Sequence, residues 1–599
     1  MVDPIVLVLA GVVLYTVVAM VLRTRGLLPE SIRISGPITT LHTQRGRDFL
    51  EWASGPTRFW RAWGNFGVGI ALVVMVGSFL LVGFAAVQAV TNPQPTALNE
   101  PRNVLAIPGV NQFLPLSAAV EIVAGLVIGL VVHEGGHGLM CRVEDIDIDS
   151  LGLAFLAFIP IGAFVEPDEN SRRRASRGGQ TRMFAAGVTN NFAVTVIAFA
   201  LLFGPVAGSI SVVAGLPVGG VLPGSAAGEA GLERGDVVTS VNGANVSGSA
   251  EFDAALAAAD DRTVRVGLRG GEAVEISRSV IVTGATAGAP APVNSTVTAV
   301  NGTAVHTEDA FRSALADRPV ATLTVREGGE TRTVTTPTGA YALPMEDRAF
   351  AAAGAPVGTP VVVTAIGGQR TLDNAALSAT LDGYAAGEEV RVVGYVLAEE
   401  GPAERRTWNV TLGSSPDGGD GAFLGVSVQP GITGLAVDDL GVDVYPAGTF
   451  LGAIGGGGGE GPDLLPGGGP IRRAYVALVL PFARLTIPGL GYSFAGFVGP
   501  VANFYEVNGL LGILGTGAGL FVANLLFWTA WINLIIGQFN CIPAYPLDGG
   551  HILRTSTETV VSRLPVEDGR AVTRAVTTTI SLVMLAGVFL MVFGPRLLT

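Results

Sequence analysis

AAVEIVAGLVIGLVVHEGGHGLM, residues 118–140, decides the reading of this chain. The stretch is apolar and, as a helix, long enough to cross a bilayer, which takes about 20 residues. Its end carries His133-Glu134-Gly135-Gly136-His137. On a helix this spacing places two imidazoles one turn apart on one face, where both can bind a single Zn²⁺. Glu134 sits beside them and can take the proton from an attacking water. Metal-binding and charged groups at membrane depth are expensive, so they are functional candidates by default. A hydrolytic metal site in a membrane segment implies proteolysis inside the bilayer.

Composition agrees with a membrane location. Hydrophobic residues make up 49% of the 599 and charged residues only 14%. Net charge is −13, which argues against nucleic acid as a partner. All 36 basic residues are arginine. With abundant Asp and Glu, this reads as a salt-adapted source such as a halophilic archaeon, or as a GC-rich genome. Two cysteines, Cys141 and Cys541, cannot form a disulfide framework in a chain of this size. They read as apolar filling near helix ends, with zinc ligation or redox switching the alternative.

Outward from residues 118–140, hydropathy predicts five more spans. They are Ile5–Leu22, Phe66–Val90, Met183–Val206, one within Leu510–Phe539 and one within Val576–Phe593. Arginines concentrate at 23–61, at 172–182 and at 554–574. The rule that cytoplasmic loops are basic then gives six spans with both termini outside. The His133 and Asp548 regions fall together on the cytoplasmic side. The expected location is a cell membrane crossed several times.

A polar region at about 217–470 is thereby extracytoplasmic. All four Asn-x-Ser/Thr sequons, at Asn245, Asn294, Asn301 and Asn409, lie in it. It repeats weakly. Val237–Gly243, Thr296–Gly302 and Val361–Gly367 each predict a strand, a tight turn and then a short helix. The first unit, with Pro223-Gly-Ser-Ala-Ala and Ala230–Asp236, resembles a PDZ domain; the other two read as degenerate or partial copies. The expected divisions are 1–64, a first span and loop; 65–210, the first half of the membrane core; 217–425, PDZ-like; 426–470, a Gly-rich linker; and 471–599, the second half of the core.

A second motif follows the fifth span: Asn540-Cys-Ile-Pro543-Ala-Tyr-Pro546-Leu547-Asp548-Gly549-Gly550. Its prolines and glycines predict broken backbone, tolerated at membrane depth where it lines a cavity. Asp548 is a candidate third ligand, giving a His₂-carboxylate site with an open position. Its alternative is an ordinary Asp-Gly turn.

His133-Glu-Gly-Gly-His137 paired with Asn540-x-x-Pro543…Leu547-Asp548-Gly549 resembles the site-2 protease family of intramembrane metalloproteases. Gly187-Val-Thr-Asn-Asn191 resembles the Gly-x-x-x-Asn of that family's central span. Pro160–Glu166 looks like its short membrane-associated strand. The resemblance implies a polytopic α-helical membrane protein with an inserted β-rich region. It implies Zn²⁺ on His133, His137 and Asp548, with Glu134 as base. Gly187, Asn191 and Asn540 would position substrate or the attacking water, with Asn190 a substitute for Asn191. The implied partners are transmembrane protein substrates in the lipid bilayer. A membrane-bound PDZ scaffold with a vestigial metal site, or clearance of signal-peptide remnants, are the alternative functions; the sequence is silent on oligomeric state.

Overall fold

The structure is a computed structural model. It describes residues 4–29, 31–96, 99–100, 103, 107–111, 113–157, 159–397, 401–414, 421–457, 469–487 and 489–598. The chain divides into two compact units, Met1–Val212 with Gly448–Thr599, and Val213–Ala447.

The first unit is helical. Its elements are α1 (Pro4–Thr24), α2 (Gln44–Ala53), α3 (Thr57–Thr91), α4 (Ala119–Val143), α5 (Arg177–Leu201), α6 (Thr516–Asn540), α7 (Asp548–Val561) and α8 (Gly569–Leu597). Shorter helical turns join them. Among the described residues five helices are long and apolar enough to cross a membrane: α3, α4, α5, α6 and α8. The apolar described part of α1, Ala10–Thr24, is shorter.

Helix starts depart from the hydropathy reading where polar residues begin a helix. α3 starts at Thr57, so a division at residue 64 cuts a continuous helix. α5 starts at Arg177, not at Met183. Ser176 caps it by accepting from Gly179 N. Arg182 on its second turn is neutralised by Glu144, with Nη2–Oε2 2.8 Å and Nε–Oε1 3.0 Å. Hydropathy marks only the apolar part of such a helix. The Gly549-Gly550 pair also differs from expectation. Both glycines lie in the first turn of α7.

A four-stranded antiparallel sheet accompanies these helices. Its strands, in spatial order, are β1 (Ile32–Ser35), β2 (Ile38–His42), β3 (Ile148–Leu156) and β4 (Ile159–Pro167). β4 is the terminal strand, and its register sets Leu151 against Val165 and Leu153 against Ala163.

The second unit contains three sheets of the same plan. Each has a two-residue hairpin at an equivalent place: Val241↔Ala244, Val300↔Thr303 and Ile366↔Gln369. The turn residues Asn242-Gly243, Asn301-Gly302 and Gly367-Gly368 all have positive φ. That is the backbone a twisted two-residue hairpin requires. A short helix follows each hairpin and buries its apolar pair: Phe252 and Leu256, Phe311 and Leu315, Leu377 and Leu381. Each unit therefore has the strand, turn and helix that the sequence repeats predict.

The second and third copies are complete rather than partial. Each sheet is closed by a short strand from 426–444, and these arrive in reverse order. Val426–Val428 joins the third sheet, Leu435–Asp438 the second and Val442–Val444 the first. The third sheet is thus inserted within the second, and the second within the first. The expected linker over 426–470 is strand for much of its first half, and 458–468 lies outside the described residues. Glycines at 425, 431, 434 and 441, all with positive φ, separate these strands and give the segment a linker's composition. Two residues where the chain crosses between the first and second sheets, Arg278 and Asp439, form an ion pair and are 3% and 6% exposed.

Candidate metal centre

α4 presents His133 and His137 one turn apart, both buried. α7 brings Asp548 to them from its first position. The Asp548 Oδ2 atom lies 3.0 Å from His133 Nε2 and 3.3 Å from His137 Nε2. The two Nε2 atoms are 3.2 Å apart. Among the described residues this is the group of three that could hold a metal ion. Zn–N and Zn–O bonds of about 2.0–2.1 Å at tetrahedral angles place ligand atoms about 3.3 Å apart. The observed triangle fits that geometry.

Neighbours hold the three ligands in place. His137 donates from Nδ1 to the Met183 carbonyl at 2.8 Å, which leaves the Nε2 lone pair for a metal. The backbone of α5 passes close to both rings. A Cβ at Gly187 would lie 2.7 Å from His137 Nε2 and 2.9 Å from His133 Nδ1. Gly136 has the matching role on α4, since a Cβ there would lie 2.8 Å from the Ala186 carbonyl oxygen. Gly135 has open space, so the two glycines of the motif are not equivalent.

The Asp548 arm is set by close backbone packing. A Cβ at Gly549 would lie 2.4 Å from the Ile542 carbonyl oxygen, and one at Gly550 2.8 Å from the Tyr545 nitrogen. Neither glycine has a positive φ; both are there for close approach of α7 to the 541–545 loop. Residues from all these elements share one apolar core, including Met140, Cys141, Ala185, Ala186, Cys541 and Ile552. Both cysteines are free and fully buried there, as apolar filling.

Glu134 is half-buried beside the histidines, and its Oε2 accepts from Val165 N of β4 at 3.0 Å. The terminal strand is thereby tied to the candidate base. The remaining candidates are placed differently. Asn191 is fully buried between helices and donates to the Gly129 carbonyl, one turn before His133. Asn190 accepts from Trp63 Nε1 at 3.0 Å. Asn540 donates back to Ile536 O of its own helix at 3.0 Å. The ring of His551, the residue after the Asp548-Gly-Gly turn, stacks on Phe184 with centroids 4.4 Å apart and lies outside the metal-competent group.

Comparison with known families gives a match to Peptidase family M50 over residues 121–585. The chain belongs to this family, the site-2 protease family. The match takes in α4, α5, α6 and α7, and so both halves of the candidate centre. Membership makes the chain a membrane-associated metallopeptidase in kind.

The sequence reading missed several supporting parts. β1, β2 and α2 lie in a loop read only for its arginines. Their strands are short and half-exposed, and no period-2 pattern survives in four or five residues. The segment after Gly469 also escaped it. That segment packs Phe494 and Phe497 against Phe527 and Tyr505, and it includes the helix Pro470–Val479. Its aromatic spacing was the available signal.

Proposed function

We propose that this protein is an intramembrane zinc metalloendopeptidase that cuts transmembrane protein substrates, as in regulated intramembrane proteolysis. The observation that carries the reading is the convergence of His133 Nε2, His137 Nε2 and Asp548 Oδ2 from two distant motifs, beside Glu134. Zinc held there supplies Lewis-acid polarisation of the scissile carbonyl and of the attacking water. Glu134 takes the proton from that water and passes it to the leaving amine.

A substrate helix has all its amides internally bonded, so it must unwind before attack. β4 is a terminal strand held against Glu134 through Val165 N. An unwound substrate segment adding to its edge would be fixed by main-chain bonds next to the base. The three sheets of the second unit are read as PDZ-like domains that face outward and receive the ends of trimmed substrates, with the catalytic motifs toward the cytoplasm. Asn191, Asn540 and Gly187 are proposed to position substrate, Gly187 through the histidines it packs on.

The test is Glu134→Gln, which keeps size and hydrogen bonding but cannot take the proton. The variant should bind zinc like the wild type and lose cleavage of a transmembrane reporter by several orders of magnitude. Wild-type turnover in that variant would remove the proposed mechanism.

A further inference from the structure

In the second unit, each closing strand follows a loop of one form. In the first sheet Leu222 N and Ala227 N donate to the carbonyls of Gly441 and Leu440, both at 2.9 Å. In the third sheet Met345 N and Phe350 N donate to the carbonyls of Gly425 and Leu424, both at 3.0 Å. Leu440-Gly441 and Leu424-Gly425 are therefore equivalent loops. Each leads into a terminal strand of its sheet, Val442–Val444 and Val426–Val428. Thr433-Gly434 holds the same place in the second sheet, where Thr286 N donates to the Gly434 carbonyl at 3.0 Å. All three glycines have positive φ: 83° at Gly425, 75° at Gly434 and 76° at Gly441. Turns of this kind set successive N–H groups around one concavity that suits an anion.

The three concavities are filled differently. In the first loop Asp438 fills it, with Oδ1 accepting from Leu440 N at 2.7 Å and from Gly441 N. In the second, Thr433 N donates to the Gly339 carbonyl at 2.8 Å and Leu435 N to the Ile432 carbonyl at 2.9 Å. In the third, no group among the described residues accepts from Leu424 N or Gly425 N. Both residues are buried, and Leu424 is 0% exposed. Buried backbone N–H groups are nearly always paired, so these two call for an acceptor. Sequence explains the contrast. Two residues before the loop the first copy has Asp438, the second Gly431 and the third Ala422. Only aspartate can reach back with a carboxylate.

The surroundings of the third loop select among acceptors. Val426–Val428 is a terminal strand, so its outer edge can pair with an extended segment. Leu424 and Val426 share an apolar cluster with Leu377 and Leu381 of the helix Asn374–Leu381. A small inorganic anion would use the N–H groups alone. The end of a chain uses all three features: its carboxylate meets the loop, its backbone the strand edge, and an apolar last side chain the cluster.

We propose that Asp438 plugs the first loop as a chain end would, and that Leu424-Gly425 is the one loop of the three that captures a terminal carboxylate. The inference rests on the PDZ-like reading of the sheets and narrows the receipt of trimmed ends to one copy.

The test uses the full-length, zinc-loaded protein in its Glu134→Gln form, so that the probe stays whole. The probe is a peptide of four alanines and a terminal valine, as free acid and as C-terminal amide. Titration calorimetry reads affinity and the number of sites. The free acid should bind at one site per chain, and the amide about tenfold more weakly or worse, because hydrogen bonds to a charged acceptor are the stronger kind. Ala422→Asp gives the third loop the plug of the first and should abolish binding. Asp438→Ala empties the first loop and should raise the count to two. Combining both substitutions should return it to one. Thermal melting followed by circular dichroism checks each variant, and where one melts below the parent the other decides alone. Binding that survives Ala422→Asp overturns the proposal, as does a count still at one in a well-folded Asp438→Ala protein. Equal affinity for acid and amide, or release of the peptide by an equal concentration of acetate, also overturns it. These outcomes leave the PDZ-like reading standing. Absence of acid-selective binding in all four proteins removes that reading as well.

Discussion

Gly187→Ala adds one methyl group where α5 crosses the two histidines. Its Cβ would stand 2.7 Å from His137 Nε2 and 2.9 Å from His133 Cε1 and Nδ1, against 3.4 Å for ordinary contact. The shortfall is about 0.7 Å at a ligand atom. Metal–ligand distances tolerate about ±0.2 Å, so the rings cannot yield that much and still meet one ion with Asp548. Displaced ligand supports typically lower metal affinity by about 10–100-fold, and Gly187→Ala should show at least that loss. Alanine is the better helix former by about 1 kcal/mol, so the loss is not expected to come from unfolding of α5. Zinc affinity is measured by competition with a chromophoric chelator, and folding by circular dichroism on the same sample. Gly135→Ala is the control, because nothing lies within 4 Å of a Cβ there. A Gly187→Ala protein with zinc affinity within twofold of wild type would refute the argument that α5 sets the ligand geometry. So would a Gly135→Ala protein equally impaired.

Metal analysis should find about one zinc per chain, lost when His133→Ala and His137→Ala are combined; undiminished zinc would move the site elsewhere. Probes on cysteines placed at the exposed Ser249 and Ser414 should react from outside intact cells, and those at the exposed Arg173 and Ser562 only after permeabilisation. Reaction of positions 249 and 173 from one side would remove the proposed orientation. Asp439→Ala should destabilise the second unit by about 3–5 kcal/mol, because it leaves the Arg278 charge buried without its partner. Replacing both residues by apolar ones should recover most of that loss, and denaturant titration of the two variants checks the contrast.

The parts of this protein legible in its sequence are those where one residue type has one physical use. His133 and His137 declare a helix face, and the Asn-Gly pairs at 242 and 301 declare positive φ. Long apolar runs declare α3, α4, α5, α6 and α8. What escaped the reading depends on neighbours distant in sequence. Nothing local tells that Gly187 must accommodate imidazoles, or that Gly549 faces the Ile542 carbonyl. The strands at 426–444 are three or four residues long and lie among glycines. Only their pairing with 216–221, 280–285 and 340–344 makes them strands. Asn191, singled out from a motif, and Asn533, which was not, both flank the same Gly129 backbone.

The reversed arrival of the closing strands has a consequence in time. Leu216–Val221 pairs with Val442–Val444, made more than two hundred residues later. At about 5–20 residues per second of synthesis, that interval is on the order of ten to forty seconds. Throughout it the first sheet has an open edge, and open edges invite pairing with the wrong chain. Pro217 and the pair Gly219-Gly220 occupy that edge. They make it a poor template while the two inner sheets are still being made. The innermost sheet closes first and the outermost last, so the ribosome completes this region from the inside out.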